Sequence, residues 1–142
     1  MRTVRTLIIV AVLFVVCTAA KTSFNREERS LSKNSALNIY ISAMAHGKAG
    51  GIAKVLDSNA RFSVLNGTKT VSFSKNEMPV YFKAVESNGK KYTTSTAIVE
   101  NGAGESIVRV NMQSHDLLRS NYVTLANTGN GWKITNVYTV IK

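Results

Sequence analysis

Residues 56–67 read LDSNARFSVLNG, and the period of the chain changes inside them. Upstream, apolar residues recur every three or four positions; from Ala60 to Leu65 the stretch takes on strand character. Asn66-Gly67 then supplies a strong two-residue hairpin signal, because both residues tolerate the positive φ that such a turn demands. Thr68 to Phe73 returns as the partner strand, with Val71 and Phe73 on one face. A helical beginning is thus set against a sheet-forming remainder.

Working back from Leu56, a short helix fits Ile52 to Leu56, closed by Asp57-Ser58-Asn59. Before it, Leu37, Tyr40, Ile41, Met44 and Ala45 share one apolar face of a helix that starts at Ser32 or Asn34 and ends at Gly47. Residues 21–31, KTSFNREERSL, are polar and charged and form a flexible leader. Residues 1–20 are of another kind: a basic start with Arg2 and Arg5, the apolar run LIIVAVLFVV from Leu7 to Val16, and Thr18-Ala19-Ala20. That is the layout of a secretory signal peptide cleaved after Ala19 or Ala20. The run is about half the ~20 apolar residues of a membrane span. A membrane anchor and a lipid-modified Cys17 are the alternatives, and Val16 fits a lipoprotein signal poorly. Export places the protein in a periplasm or outside a bacterial cell, with no stable membrane insertion once the signal is removed. Cys17 is the single cysteine; lost with the signal, it leaves no disulfide, thiol nucleophile or cysteine-bound metal.

Working forward from Gly67, Ser74-Lys75-Asn76-Glu77 has capping-box spacing and opens a third helix. Met78, Tyr81, Phe82 and Val85 are its buried stripe, and Asn88-Gly89 ends it. Four strands follow: Lys91 to Glu100, Glu105 to Ser114, Asn121 to Asn127 and Gly131 to Ile141, joined by glycine-rich turns at 101–104 and 128–131. The first of these turns lacks the helix and the Lys-Ser/Thr of a phosphate-binding loop. The order helix, helix, two strands, helix, four strands is an α+β domain over residues 32–142, with helices packed into a curved antiparallel sheet.

A chain of 142 residues, 44% hydrophobic and 18% charged, suits one domain. Its net charge of +10 gives acidic partners a hearing, but the basic residues are scattered and Lys90-Lys91 is their densest pair. No basic run interleaves with aromatics, so nucleic acid is not an expected partner. The two histidines lack carboxylates at ligand spacing, so no metal is expected, and no cofactor motif is present.

The element order, with three local sequences, resembles the nuclear transport factor 2-like superfamily. Those sequences are SALNIYISAMAHGKAGGIAKVLDSNARFSVLNG, FSKNEMPVYFKAV and NGWKITNVYTVI. The superfamily's cone-shaped, cystatin-like fold is shared by ketosteroid isomerase, scytalone dehydratase and SnoaL-like polyketide cyclases. Within it the chain is most similar to small exported bacterial members labelled "putative lumazine-binding", a label that names a resemblance between families and not a ligand. The resemblance implies an apolar pocket at the wide end of the cone. It also places a catalytic aspartate late in the first strand, where this chain has Val64, which cannot take a proton.

Candidate chemistry is accordingly thin. Asp57 stands at a helix–strand junction, where aspartate commonly caps or turns. His46 ends the first helix. His115-Asp116 falls between two strands and would cooperate only in a loop. As pocket walls the sequence offers Tyr40, Phe62, Trp132 and Tyr138, the last two sharing a face with Ile134, Asn136 and Val140 if alternation is unbroken. Arg109 joins them as a carboxylate anchor if the polar face of its strand, with Asn111 and Gln113, turns inward; turned outward, it is a solvated residue. The expectation is an exported protein that binds a small, partly apolar molecule without chemistry. The alternatives are an isomerase, dehydratase or cyclase using Tyr40 with His46, His115 or Asp57, and an interaction module that forms a homodimer through an outer sheet face carrying Val137, Thr139 and Ile141.

Overall fold

The computed structural model describes residues 30–87 and 89–142. The expected signal segment and most of the leader, residues 1–29, lie outside the described residues. The elements are α1 (Lys33–His46), α2 (Ile52–Val55), β1 (Leu56–Asn66), β2 (Lys69–Ser74), α3 (Met78–Ser87), β3 (Thr93–Asn101), β4 (Glu105–Gln113), β5 (Leu118–Asn127) and β6 (Trp132–Ile141). This is the expected order, with every strand within a few residues of its predicted place.

Local chemistry accounts for the boundaries. Ser32 caps α1 by accepting the Ser35 N–H at 3.1 Å. Gly47 ends the helix at φ 66°, a left-handed conformation that lets the Lys48 N–H reach back to the Ser42 carbonyl. The Ser74–Glu77 signal is half a capping box: Glu77 Oε2 accepts both the Ser74 N–H and the Ser74 hydroxyl, each at 2.7 Å. Asn59 N–H donates to Asp57 Oδ1 at 2.9 Å, an Asx turn that breaks the register of β1 between Leu56 and Arg61 without ending the strand.

The six strands form one curved sheet in the order β2-β1-β6-β5-β4-β3. Four of its five pairings are antiparallel; β1 and β6 run parallel, matching Phe62 to Val137 and Val64 to Thr139. The expected curved antiparallel sheet is therefore present, with this one parallel pair within it. The parallel pair arises because α3 and β3–β5 intervene before the chain returns beside β1.

One face of the sheet meets the helices. On β4, Val108, Val110 and Met112 are buried while Arg109 and Gln113 are exposed. On β5, Arg119, Asn121, Val123 and Leu125 are buried. Against this concave face lie Ala36, Tyr40, Ala43 and Met44 of α1 and Met78 and Phe82 of α3, in one continuous core. The alanines of α1 permit close approach to the sheet, and each fully buried large aliphatic side chain contributes about 1.5–3 kcal/mol.

Two readings of the sequence are corrected here. Leu31, placed in the flexible leader, forms a bridge to Gly131 and packs against the core; its carbonyl accepts the Trp132 N–H at 2.9 Å. On β6 the alternation is not unbroken. Ile134 pairs with Leu125 and Asn136 with Thr124, which leaves Thr135 as an extra residue, a β-bulge. Past it the faces exchange, so Val137 and Thr139 are buried at 2% and 3% exposure and Tyr138 turns outward. Val137 and Thr139 therefore belong to the core and cannot form the apolar outer patch expected for a homodimer, and Ile141 points the same way and is half-buried.

Candidate functional site

Among the described residues the buried polar or charged side chains are Ser106, Arg119, Asn121 and Thr139. The last three face the helices from neighbouring positions of β5 and β6: Asn121 pairs with Thr139, and Arg119 with Ile141. The period of two in each strand turns all three to the concave side. Thr139 Oγ1 donates to Asn121 Oδ1 at 2.7 Å, and Asn121 Nδ2 donates to the Val110 carbonyl at 3.1 Å. From the helices come two tyrosines. Tyr40 of α1 is wholly buried, and Tyr81 of α3 is half-buried, its ring tilted by 41° against Phe73 at 5.5 Å and 6.3 Å from Phe82.

Arg119 Nη2 donates to the Tyr81 hydroxyl, and its guanidinium carbon lies 5.7 Å from the Tyr81 ring centroid. Arg119 Nε and the Tyr40 hydroxyl have no hydrogen-bond partner although both are buried. Burial holds the Tyr40 phenol far above its ordinary pKa; Tyr81 nearby adds to this and the Arg119 charge opposes it. Tyr40 is therefore a neutral hydroxyl at any ordinary pH, able to donate. Among the described residues the one ion pair is Lys90–Asp116 at 3.5 Å, so the Arg119 charge has no described carboxylate beside it. A buried cation with no carboxylate partner among the described residues costs several kcal/mol by order of magnitude, which makes the cluster a place of unsatisfied demand.

The residues singled out from sequence scatter around this cluster. Tyr40 and Phe62 both lie in the concave core, and Trp132 packs against it. Trp132 sits at the far end of β6, opposite Asn127, with the Lys33 ammonium 5.3 Å from its ring centroid. Tyr138, 37% exposed, stands on the convex face because of the Thr135 bulge, so it does not face the concave core as a wall residue would. Arg109 is exposed on the same convex face, between Ala97 and Tyr122, so its inward reading is also corrected. Val64, at the position the resemblance gives to an aspartate, faces the cluster half-buried, opposite Thr139.

The weak catalytic candidates stay apart from the cluster. Asp57 is half-buried in its own turn. His46 is exposed and lines a recess of about 470 Å³ with Lys90, Lys91 and Tyr92. His115 and Asp116 are exposed in the β4–β5 loop, where Ser114 Oγ donates to Asp116 at 3.3 Å. A further recess of about 560 Å³ lies between α2 and α3, lined by Ile52, Leu56, Met78 and Phe82; Lys75 at its rim donates to the Leu56 carbonyl. Among the described residues no three His, Cys, Asp or Glu side chains gather as metal ligands, and no helix is long and apolar enough to cross a membrane.

Arg119, Asn121, Tyr81 and Thr139 escaped sequence reasoning as site residues. Arg119 sits in HDLLRS, which reads as loop because an arginine occupies the place where alternation calls for an apolar side chain. Tyr81 reads as an ordinary member of a helical stripe, and Thr139 falls on the wrong face unless the bulge is known. The available signal was the strand itself: extending Asn121–Leu125 back by one period reaches Arg119.

Comparison with known proteins agrees with this architecture. An NTF2-like protein of unknown function from Silicibacter pomeroyi superposes with a TM-score of 0.60 at 12% identity, covering 77% of this chain and 92% of that one. An NTF2-like protein of unknown function from Methylobacillus flagellatus gives 0.59 at 18% identity, covering 77% and 88%. An NTF2-like protein with a cystatin-like fold from Novosphingobium aromaticivorans gives 0.58 at 13% identity, covering 75% and 77%. At such identities the likeness shows the fold alone. No curated protein matches the sequence. The model of the family described as "Putative lumazine-binding" matches residues 32–138. With helices and a curved sheet of the nuclear transport factor 2-like type, the chain belongs to the putative lumazine-binding family.

Proposed function

We propose that this protein is exported and binds a small, partly apolar molecule on the concave face of its sheet without transforming it. One observation carries the reading: two buried polar atoms, Arg119 Nε and the Tyr40 hydroxyl, face the same apolar interior with no protein partner. Buried polar groups are nearly always hydrogen-bonded, and exceptions call for an explanation. A ligand that supplies acceptors is one. Phe62, Val64 and Phe73 supply apolar surroundings, the composition of a small-molecule site. Binding is favoured over catalysis by Val64 at the expected base position and by the absence of a buried carboxylate among the described residues. Export rests on the basic, apolar and small-residue sequence of residues 1–20.

The test is native mass spectrometry of the protein purified gently from a secreting host. Retention of a stoichiometric extra mass, lost on Tyr40→Phe or Arg119→Met, supports the reading. A clean apo mass, with no concave-face ligand recovered from the medium or periplasm, sinks it. The N-terminal residue found in the same spectrum tests cleavage after Ala19 or Ala20.

A further inference from the structure

We infer that the group recognised at this site is a single carboxylate on an otherwise apolar molecule, held by Arg119 with the Tyr40 hydroxyl as a second donor. The inference rests on the reading that the concave face takes a small molecule, and adds its chemical class.

The charge argument comes first. Arg119 is 6% exposed and always cationic, and no other cationic side chain among the described residues is buried with it. Lys69 lies at the β2 end of the same cross-strand row, Lys69–Asn66–Ile141–Arg119–Met112, but is exposed to water. One buried positive charge balances one negative charge. A phosphate dianion would leave the interior with an uncompensated charge of the opposite sign, and a neutral amide or ketone would leave the guanidinium unbalanced.

Geometry narrows the choice further. A guanidinium presents five N–H donors in a planar fork that matches a carboxylate. One donor of Arg119 is engaged by Tyr81, while Nε is engaged by nothing. Tyr81 accepts that bond with the guanidinium carbon 5.7 Å from its ring centroid, so one end of the fork is already engaged within the protein. Tyr40 is a neutral phenol at neutral pH, as an ordinary tyrosine is, and burial raises its pKa further, so its hydroxyl donates to an acceptor. Toward the β1–β2 hairpin the concave face of the sheet is apolar: Val64, Phe73 and Ile141 are half-buried there and Val71 is 53% exposed. A carboxylate leading an apolar body fits both ends of this arrangement.

The experiment is an NMR titration of the purified, isotope-labelled chain with two matched probes, 3-phenylpropanoate and its neutral analogue 3-phenylpropanamide, at neutral pH. The expected result is that the carboxylate moves the Arg119 Nε–H resonance and the β5 and β6 amides, and binds at least about tenfold tighter than the amide. Arg119→Met removes that preference. Arg119→Lys, which keeps the charge without the fork and guards against a misfolded methionine variant, retains part of it. Equal binding of the two probes on the concave face, with the Arg119 Nε–H unmoved, overturns the carboxylate assignment and leaves the small-molecule site standing. Failure of both probes at millimolar concentration to move any concave-face resonance overturns the site itself.

Discussion

Thr139 on β6 donates its hydroxyl proton to Asn121 on β5, 2.7 Å away in a fully buried pair. Asn121 passes the connection to the Val110 carbonyl on β4, so three strands are cross-linked by side chains within the core. Thr139→Val keeps the shape and strands Asn121 Oδ1, which costs about 1–3 kcal/mol. Asn121→Ala opens a cavity in addition and costs more. Because the two residues share one bond, the double variant falls short of the sum of the singles. Urea unfolding monitored at Trp132 measures all three.

Tyr40→Phe is expected to move stability and binding in opposite directions. The hydroxyl lost is buried without a partner, so its removal is neutral or stabilising by up to about 1–2 kcal/mol. Ligand retention falls because a donor is gone. Thermal unfolding with and without the retained ligand separates the two effects.

The same hydroxyl sets an alkaline limit. Its folded pKa is raised by burial, so its ionisation does not affect stability below the unfolded tyrosine value and lowers it above about pH 10, where the unfolded chain ionises first. Stability of the parent protein should drop more steeply above that pH than stability of Tyr40→Phe. Parallel declines would count against a buried neutral Tyr40.

In acid the relevant group is Glu77, whose carboxyl is held below its ordinary pKa by hydrogen bonds from the Ser74 N–H and hydroxyl. A depressed carboxylate pKa contributes stability above its unfolded value, and the contribution is lost as pH falls through the folded value. The difference between the parent and Glu77→Gln is therefore constant above about pH 5 and closes in more acid solution. Denaturant midpoints across that range decide it.

Glycines 129 and 131 offer a matched comparison. Both have positive φ, 85° and 98°, but a Cβ at Gly129 meets open space and one at Gly131 would stand 2.6 Å from the Leu31 nitrogen. Gly129→Ala costs about 1–2 kcal/mol for the backbone alone. Gly131→Ala costs that and the displacement of Leu31, about 2–4 kcal/mol in all. Heat unfolding of the two variants side by side gives the contribution of the Leu31 contact.

Much of the fold was legible because its signals are local. Asn66-Gly67, the Ser32 cap, Gly47 and the apolar face of α1 each act within a few residues, and each marked a real boundary. What escaped depends on partners distant in sequence. The Thr135 bulge exists only relative to β5, and it alone decides that Thr139 faces inward and Tyr138 outward. Arg119 looks like a loop residue until Tyr81, from another element, is seen to accept a hydrogen bond from its guanidinium. The buried helix face that carries Tyr40 followed from periodicity; the polar cluster beside it did not.

The parallel pairing of β1 with β6 has a consequence in time. Phe62 cannot find Val137 until the chain between them has been made and ordered, so β1 and its hairpin partner β2 form a two-stranded fragment with nothing on their inner side while the rest is synthesised. Closing so long a loop slows folding, and an isolated hairpin is marginal in water. β6, the last strand made, is the one that joins β2–β1 to β5–β4–β3, so the sheet cannot be complete before the C-terminus is available.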